Sequence, residues 1–545
     1  MKQIVSALVL SLAFPALADS SLSGVPLPNT KADGYAPSSR LSTELRQNPV
    51  AQGATALENP QGIVGWYGYE NDVPSPADPS VPQMVPAPGG SAEAQKTEPD
   101  KNTYLVLRGQ KGADASYDYG THFLFQGHES GAASSGGRQG YLTRINLDAD
   151  AAHRVTLMAT RDVQGNPIAA IDGSTWDPFA KRLLFTTENG GAPTYSATVT
   201  YPSQVEDVSG ALGRGGYEGI QDDGYGNIWI VEDVGGAGKL DAAGKSTTAR
   251  RPNSFLYRYV PSKPGDLLNG RLQVLQVING DHPVSFESQA ALFAPDQVAL
   301  RTYGRRFQTS WVTIHDTAVD GITPFDANAL AKAHQGTPFK RPENGVFRPG
   351  VQFREFYFDE TGDTNATSPE NGDPATGANG AGGWTSLFKL VQSDAAADQG
   401  WISLFYTGNE GVAGLDNIQF LTRDALLVVE DAGDMLHTQR KALDSGYLFD
   451  VRAEYASGAQ PIRFLAEGRD PSATLDSGSG GFGKNDGDNE ITGIHVSDGD
   501  PTVHGILGAK IPQFGRDGWR WFWTQQHGDN VTWEVSFDRS CEGRD

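Results

Sequence analysis

The sequence predicts an all-β protein built as a β-propeller, with inserted loops and a Pro/Gly-rich N-terminal arm. Three observations carry this. Among 545 residues, 66 are Gly and 32 are Pro, while 38% are hydrophobic and ten are Trp. Such a chain turns often yet can bury enough apolar surface to offset its ordering entropy, which excludes a helical bundle and a disordered chain. From Thr103 onward, short β-branched and aromatic runs are broken about every ten residues by Gly, Asp and Asn, as in sandwiches, barrels and propellers. Finally, a pattern of acid, turn and apolar strand recurs along the chain, and a repeated supersecondary unit favours a propeller over a sandwich.

Met1-Lys2, the apolar run Ile4 to Phe14 and Ala16-Leu17-Ala18 before Asp19 form a charged start, a hydrophobic stretch and a small-x-small cleavage site, so residues 1–18 are expected to be a signal peptide. No later apolar run approaches the roughly 20 residues needed to span a bilayer. The expectation is a periplasmic or extracellular protein with no membrane span. Cys541 is the only cysteine, so no internal disulfide can form. The formal charge of −23 repels a phosphate backbone and argues against nucleic-acid partners.

Residues 19–101 are rich in Pro, Ser, Ala and Gly and read as an arm or wrapping segment, with an apolar island at Ile63 to Gly68. Residues 102–545 read as the propeller domain. A short helix is expected over Asp326 to His334.

Three copies of the repeat stand out. Asp172-Gly173 leads through Trp176-Asp177-Pro178 to Thr187-Glu188-Asn189; Tyr217-Glu218-Gly219-Ile220 leads to Val231-Glu232-Asp233; Leu415-Asp416-Asn417-Ile418 leads to Val429-Glu430-Asp431. The separations from the first acid to the Glu are 16, 14 and 14 residues, so two copies agree in register. A further strand follows each of the last two copies, at Ser254 to Tyr259 and Gly446 to Val451.

In a propeller the innermost strand of each blade borders a central channel, so an acid repeated at its end falls on a ring. That ring is expected to include Asp172, Glu218 and Asp416, with Glu129 and Glu490. Converging carboxylates raise one another's pKa unless a cation compensates. Oxygen-only donors in irregular loops suit calcium. The competing reading makes such acids turn caps bonded to local N–H groups; it is preferred for Asp223, Asp233 and Asp431, and Glu232 is expected to be a structural partner at a strand end. His128 and His527, each in a Gly-containing turn after a strand, are candidates for acid–base or charge-stabilising work. The acidic loops from Asp359 to Asp373 and at Asp486-Gly487-Asp488 read as solvated. No G-x-S-x-G, P-loop, H-E-x-x-H or C-x-x-C motif occurs.

The segments Leu124 to Glu129, Trp176 to Asn189, Gly213-Arg214 with Tyr217-Glu218-Gly219, Gly382-Gly383-Trp384 and Gln526-His527-Gly528 resemble the PhoX-type alkaline phosphatases, formerly grouped as DUF839. The resemblance implies a six-bladed propeller, a funnel-mouth centre of iron and calcium, and hydrolysis of a small-molecule phosphomonoester, with Arg214, His128 or His527 steadying the developing charge. The chain departs from the family pattern in three places. Gly127 replaces an Asn before His-Glu; the nearest match to an Arg-Pro-Glu step is taken at Gly414-Leu415-Asp416; and Cys541 lies outside every matched motif, where the family places a thiolate on iron. A non-catalytic propeller, stabilised by calcium and binding a small ligand or partner protein, is the alternative. The oligomeric state is not set by these residues.

Overall fold

A computed structural model describes residues 22–31, 38–61, 64–68, 97–129, 140–236, 246–286, 294–362, 383–468, 490–516, 518–526 and 530–538, with short strands at 73–74, 82–83 and 238–240. The described strands form six consecutive antiparallel meanders of four strands. Their first strands are Pro99–Val106, Ser174–Asp177, Tyr217–Asp222, Gly345–Phe347, Leu415–Phe420 and Glu490–Ser497. Each first strand contacts the next, and the sixth returns to the first. The all-β propeller architecture expected from the sequence is thus the observed one.

Two devices handle the sheet edges. Phe307–Asp316 pairs with the last strand of the third meander along most of its length and, through Phe307 to Ser310, with the last strand of the fourth. Two outer edges that would otherwise offer unpaired backbone groups are closed against each other. Beside this seam, Trp229 and Trp311 meet edge to face at 5.0 Å within an aromatic cluster that includes Phe347 and Phe356.

The second device uses part of the segment expected to be an arm. Leu45–Ala51 is the fourth strand of the sixth meander, with Leu45 opposite Phe537 and Gln47 opposite Val535. Pro49 is tolerated there because the strand is the outermost one and needs no donor on its free side. Arg40–Leu41 adds a fifth strand to the fifth meander. Residues 1–21, including the expected signal peptide, lie outside the described residues, as do Ile63 of the apolar island and the acidic stretches 363–373 and 486–488. The expected helix is present as Ala327–Ala333, with Asp326 accepting from the Ala329 N–H at 2.8 Å.

Candidate metal centre

Each first strand begins on the same face of the ring, and at each beginning stands one carboxylate: Asp100, Asp172, Glu218, Glu343, Asp416 and Glu490. In the first, third and fifth meanders the pairing with the second strand is interrupted by a bulge at this point, between Pro99 and Asn102, Tyr217 and Ile220, and Leu415 and Ile418. A bulge re-aims a side chain that a regular pleat would send to the sheet face. Glycine after the acid permits close approach of the next meander. A Cβ on Gly173 would lie 2.1 Å from the Glu218 carbonyl oxygen, and one on Gly219 would lie 2.9 Å from Asn344 Cα. Gly219 instead donates its N–H to the Glu343 carbonyl at 2.7 Å.

Second-strand ends add Glu129, Glu188, Asp431 and Gln526, and Glu98 precedes the first meander. Together with Arg341 these residues line one funnel-shaped cavity of about 190 Å³. Asp100, Asp172, Glu218, Glu343 and Asp416 are each no more than 6% exposed. All five carboxylates expected as metal ligands (Asp172, Glu218, Asp416, Glu129 and Glu490) are therefore brought together.

The electrostatics are one-sided. Ten carboxylates face one lining arginine. Two like charges about 5 Å apart at an effective dielectric of about 20 repel by about 3 kcal/mol. Burial first, and then neighbouring carboxylates, push Glu129, Asp172, Glu218, Asp416 and Glu490 well above the usual range. At the exposed mouth, burial together with Asp233 carries Glu188 up to about 7, against the pull of Arg341. Asp172 Oδ1 is buried without a hydrogen-bond partner.

Three groups have carboxylate oxygens within 4.8 Å of one another: Asp100, Asp172 and Glu218; Glu129, Asp172 and Glu188; Glu218, Glu343 and Asp416. Asp172 and Glu218 are each shared by two groups. Orphaned buried oxygens, crowded like charges and an all-oxygen donor set fit a hard cation such as calcium. No Cys or His lines the cavity among the described residues.

Some oxygens are already held. Asn417 donates to both oxygens of Asp416 at 3.0 and 2.9 Å, and Thr492 donates to Asp100. Lys101, the residue after Asp100, is buried and donates to Asn344. Burial lowers its pKa while Asp416, Glu218 and Asp100 pull it back up.

The remaining expected site residues lie elsewhere. His128 is fully buried in the second strand of the first meander, bonded to Thr143 at 2.9 Å and Thr97 at 3.2 Å and stacked on Tyr141. Burial holds its pKa well below the ordinary value. It does not line the cavity; the alternation of the strand sends it into the blade. Arg214 pairs with Asp207 at 3.2 Å and is not a lining residue either. His527 and Cys541 lie outside the described residues.

The arginine at the cavity is Arg341, and with it the Arg-Pro-Glu step is found at Arg341-Pro342-Glu343, leading into the fourth meander, instead of at Gly414-Leu415-Asp416. Arg341 grips Asp233 with Nε at 2.9 and 3.0 Å and Nη2 at 2.7 Å, and lies 3.6 Å from Glu343. Its Nη1 has no protein partner among the described residues. Arg341 holds a left-handed backbone at φ 57°, as does the lining residue Glu98 at 46°. Such conformations cost of order 1–3 kcal/mol and persist where surrounding structure fixes them.

Sequence reasoning missed Asp100, Glu343, Glu188, Glu98 and Asp431 as lining residues. A usable signal existed for two of them. Asp100 and Glu343 share with Asp416 an Asn one or two residues later, whereas neither leads to a Glu-Asp or Glu-Asn step 14 to 16 residues on, as the three copies of the repeat do.

No family model matches the chain, and no curated protein sequence matches it. Among solved structures, Pseudomonas fluorescens PhoX in complex with vanadate, a transition state analogue, aligns with 95% of this chain and 98% of its own, at 12% identity and a TM-score of 0.51. The holo PQQ domain of pyranose dehydrogenase from Coprinopsis cinerea aligns with 95% of this chain and 100% of its own, at 10% identity and a TM-score of only 0.29. The first likeness is one of fold; the second is too remote to carry an argument.

Proposed function

We propose that this chain is an exported, metal-dependent hydrolase of small-molecule phosphomonoesters. The observation that carries the reading is the ring of six carboxylates, one per meander, converging with four more on a single open funnel. Asp100, Glu129, Asp172, Glu188, Glu218, Glu343 and Asp416 are the residues that would hold calcium, and the two groups that share Glu218 are buried throughout. A bound divalent cation supplies charge neutralisation for a phosphoryl group and a lowered pKa for bound water.

The protein's own contribution is positioning. Arg341, fixed by Asp233 and with Nη1 unengaged among the described residues, is placed to donate to a phosphoryl oxygen, the role first expected of Arg214 or His128. His527, adjacent to the lining residue Gln526, is a second candidate for that role. The funnel walls hold the ligands on strand ends, which are more rigid than loops. The likeness in fold to PhoX, solved in complex with vanadate, a transition state analogue, supports the same reading.

The deciding experiment is elemental analysis of the purified exported protein, paired with a phosphomonoester assay before and after chelation and after restoration with calcium alone or calcium plus iron. Activity that is lost on chelation and regained with metal is the expected result. A folded, metal-replete protein inactive on every phosphomonoester tested would overturn the enzyme reading and leave a calcium-stabilised binding propeller.

A further inference from the structure

We propose that a second cavity, on the fifth meander and separate from the funnel, binds the carboxylate of a small organic acid. The cavity measures about 320 Å³ and is lined by Pro28, Arg440, Leu443, Ser445, Tyr447 and Arg463, with Glu410 also on its wall. Its volume is within the range of small-molecule sites. None of these residues lines the acidic funnel.

The two arginines differ in how far they are satisfied. Arg440 is 7% exposed; its Nη1 and Nη2 donate to Glu430 at 3.0 Å each, and Nη2 also donates to Asp444 at 2.9 Å. Its Nε, however, is buried with no hydrogen-bond partner. Arg463 meets no carboxylate among the described residues: it donates to Ser445 Oγ at 3.0 Å, to the Tyr447 hydroxyl at 3.3 Å and to the Val25 carbonyl at 3.5 Å. Its guanidinium also lies 5.4 Å from the Tyr447 ring centroid.

A guanidinium held only by neutral oxygens in a half-buried cavity retains an unspent preference for an oxyanion. The charge count selects the ligand. Arg463 is the one lining guanidinium with no carboxylate partner among the described residues, while Glu430, Asp444 and the wall's own Glu410 already outnumber the two arginines, so no more than one further negative charge is accommodated. A monocarboxylate meets that requirement, while a phosphate dianion exceeds it. Pro28, Ala442, Leu443 and the Tyr447 ring supply an apolar wall for the body of the acid.

The cavity is independent of metal, and its test is separate from that of the hydrolase reading. Acetate, butyrate, benzoate, benzamide and inorganic phosphate are each titrated calorimetrically into the full chain in carboxylate-free buffer, with and without chelator. The expected result is saturable binding of at least one of the three carboxylates at one site per chain, unchanged by chelation. Benzamide and phosphate should bind at least tenfold more weakly, and Arg463→Gln, checked for wild-type melting, should weaken carboxylate binding at least tenfold. The proposal is overturned if no carboxylate saturates the folded wild type, if Arg463→Gln binds as well as wild type, or if phosphate binds as tightly. Binding that appears only in Glu410→Gln also overturns it, because the chain's own carboxylate would then be the occupant.

Discussion

Glu430 and Asp416 belong to the same hairpin, both are buried, and they are treated in opposite ways. Glu430 accepts from the Ala413 and Ser445 N–H groups at 2.9 and 2.8 Å and is forked by Arg440. Among the described residues Asp416 has only the amide of Asn417 as a hydrogen-bond donor, and it faces other carboxylates. Glu232 and Glu218 repeat the contrast two meanders earlier: Glu232 accepts from Phe255 N–H, the Tyr257 hydroxyl and Asn328, each at 3.0 Å. A buried acid whose partners come from its own blade is part of the framework. A buried acid whose neighbours are other acids is one that could hold a cation the polypeptide does not provide.

The comparison is most directly broken by exchanging charge for an amide on each side of it. Glu430→Gln leaves Arg440 underpaired in the interior and is expected to cost about 3 kcal/mol of stability, in the range for breaking a buried pair, with catalysis in the surviving folded protein nearly unchanged; denaturant unfolding and turnover measured on the same sample check both halves. Glu218→Gln should do the reverse, lowering phosphomonoester hydrolysis about a hundredfold or more, in line with losses of charge stabilisation, while the metal-free protein melts at or above the wild-type temperature. Equal effects of the two variants on both properties would erase the distinction.

Calcium and pH sharpen it. Without metal, funnel carboxylates with raised pKa values hold protons in the folded state that the unfolded chain releases, so stability should fall as pH climbs from about 4.5 towards the Glu188 value of about 7. With calcium the same groups stay ionised when folded, the slope should reverse, and a tenfold excess over Kd adds about 1.4 kcal/mol. Melting curves across pH 5 to 8, with calcium and with chelator, test this; parallel slopes would mean that the acids do not bind calcium.

The smallest effect is expected for Glu232→Gln. Burial pushes Glu232 up to about 8, so it is largely protonated at neutral pH, and its three donors can be met by an amide oxygen. About 1 kcal/mol of stability and no change in turnover are expected, from the same paired measurements.

Much of this was legible in the residues themselves. The acid-to-Glu spacing in the Asp172, Glu218 and Asp416 copies located three members of the ring, because the hairpin that positions them is local. Glu343 and Asp100 were not found: neither leads to a Glu-Asp or Glu-Asn step 14 to 16 residues on, and only the ring geometry brings them into line with the other copies. His128 misled for a related reason. It adjoins Glu129 in sequence, but alternation along the strand turns one residue to the funnel and the other into the packed blade. Arg341 owes its place to a left-handed backbone and to Asp233, more than a hundred residues away, which no local pattern reports.

The pairing of Leu45–Ala51 with Val531–Phe537 also sets an order of events during synthesis. Five meanders can be laid down as the chain emerges, but the sixth lacks its outer strand until residues nearly five hundred positions apart meet. Closure of so long a loop costs entropy before any contact rewards it. Until then the chain presents open strand edges to its neighbours. A nascent chain stopped short of Val531 has no partner for its Leu45–Ala51 strand, so the circle closes only after Val531–Phe537 has been synthesised.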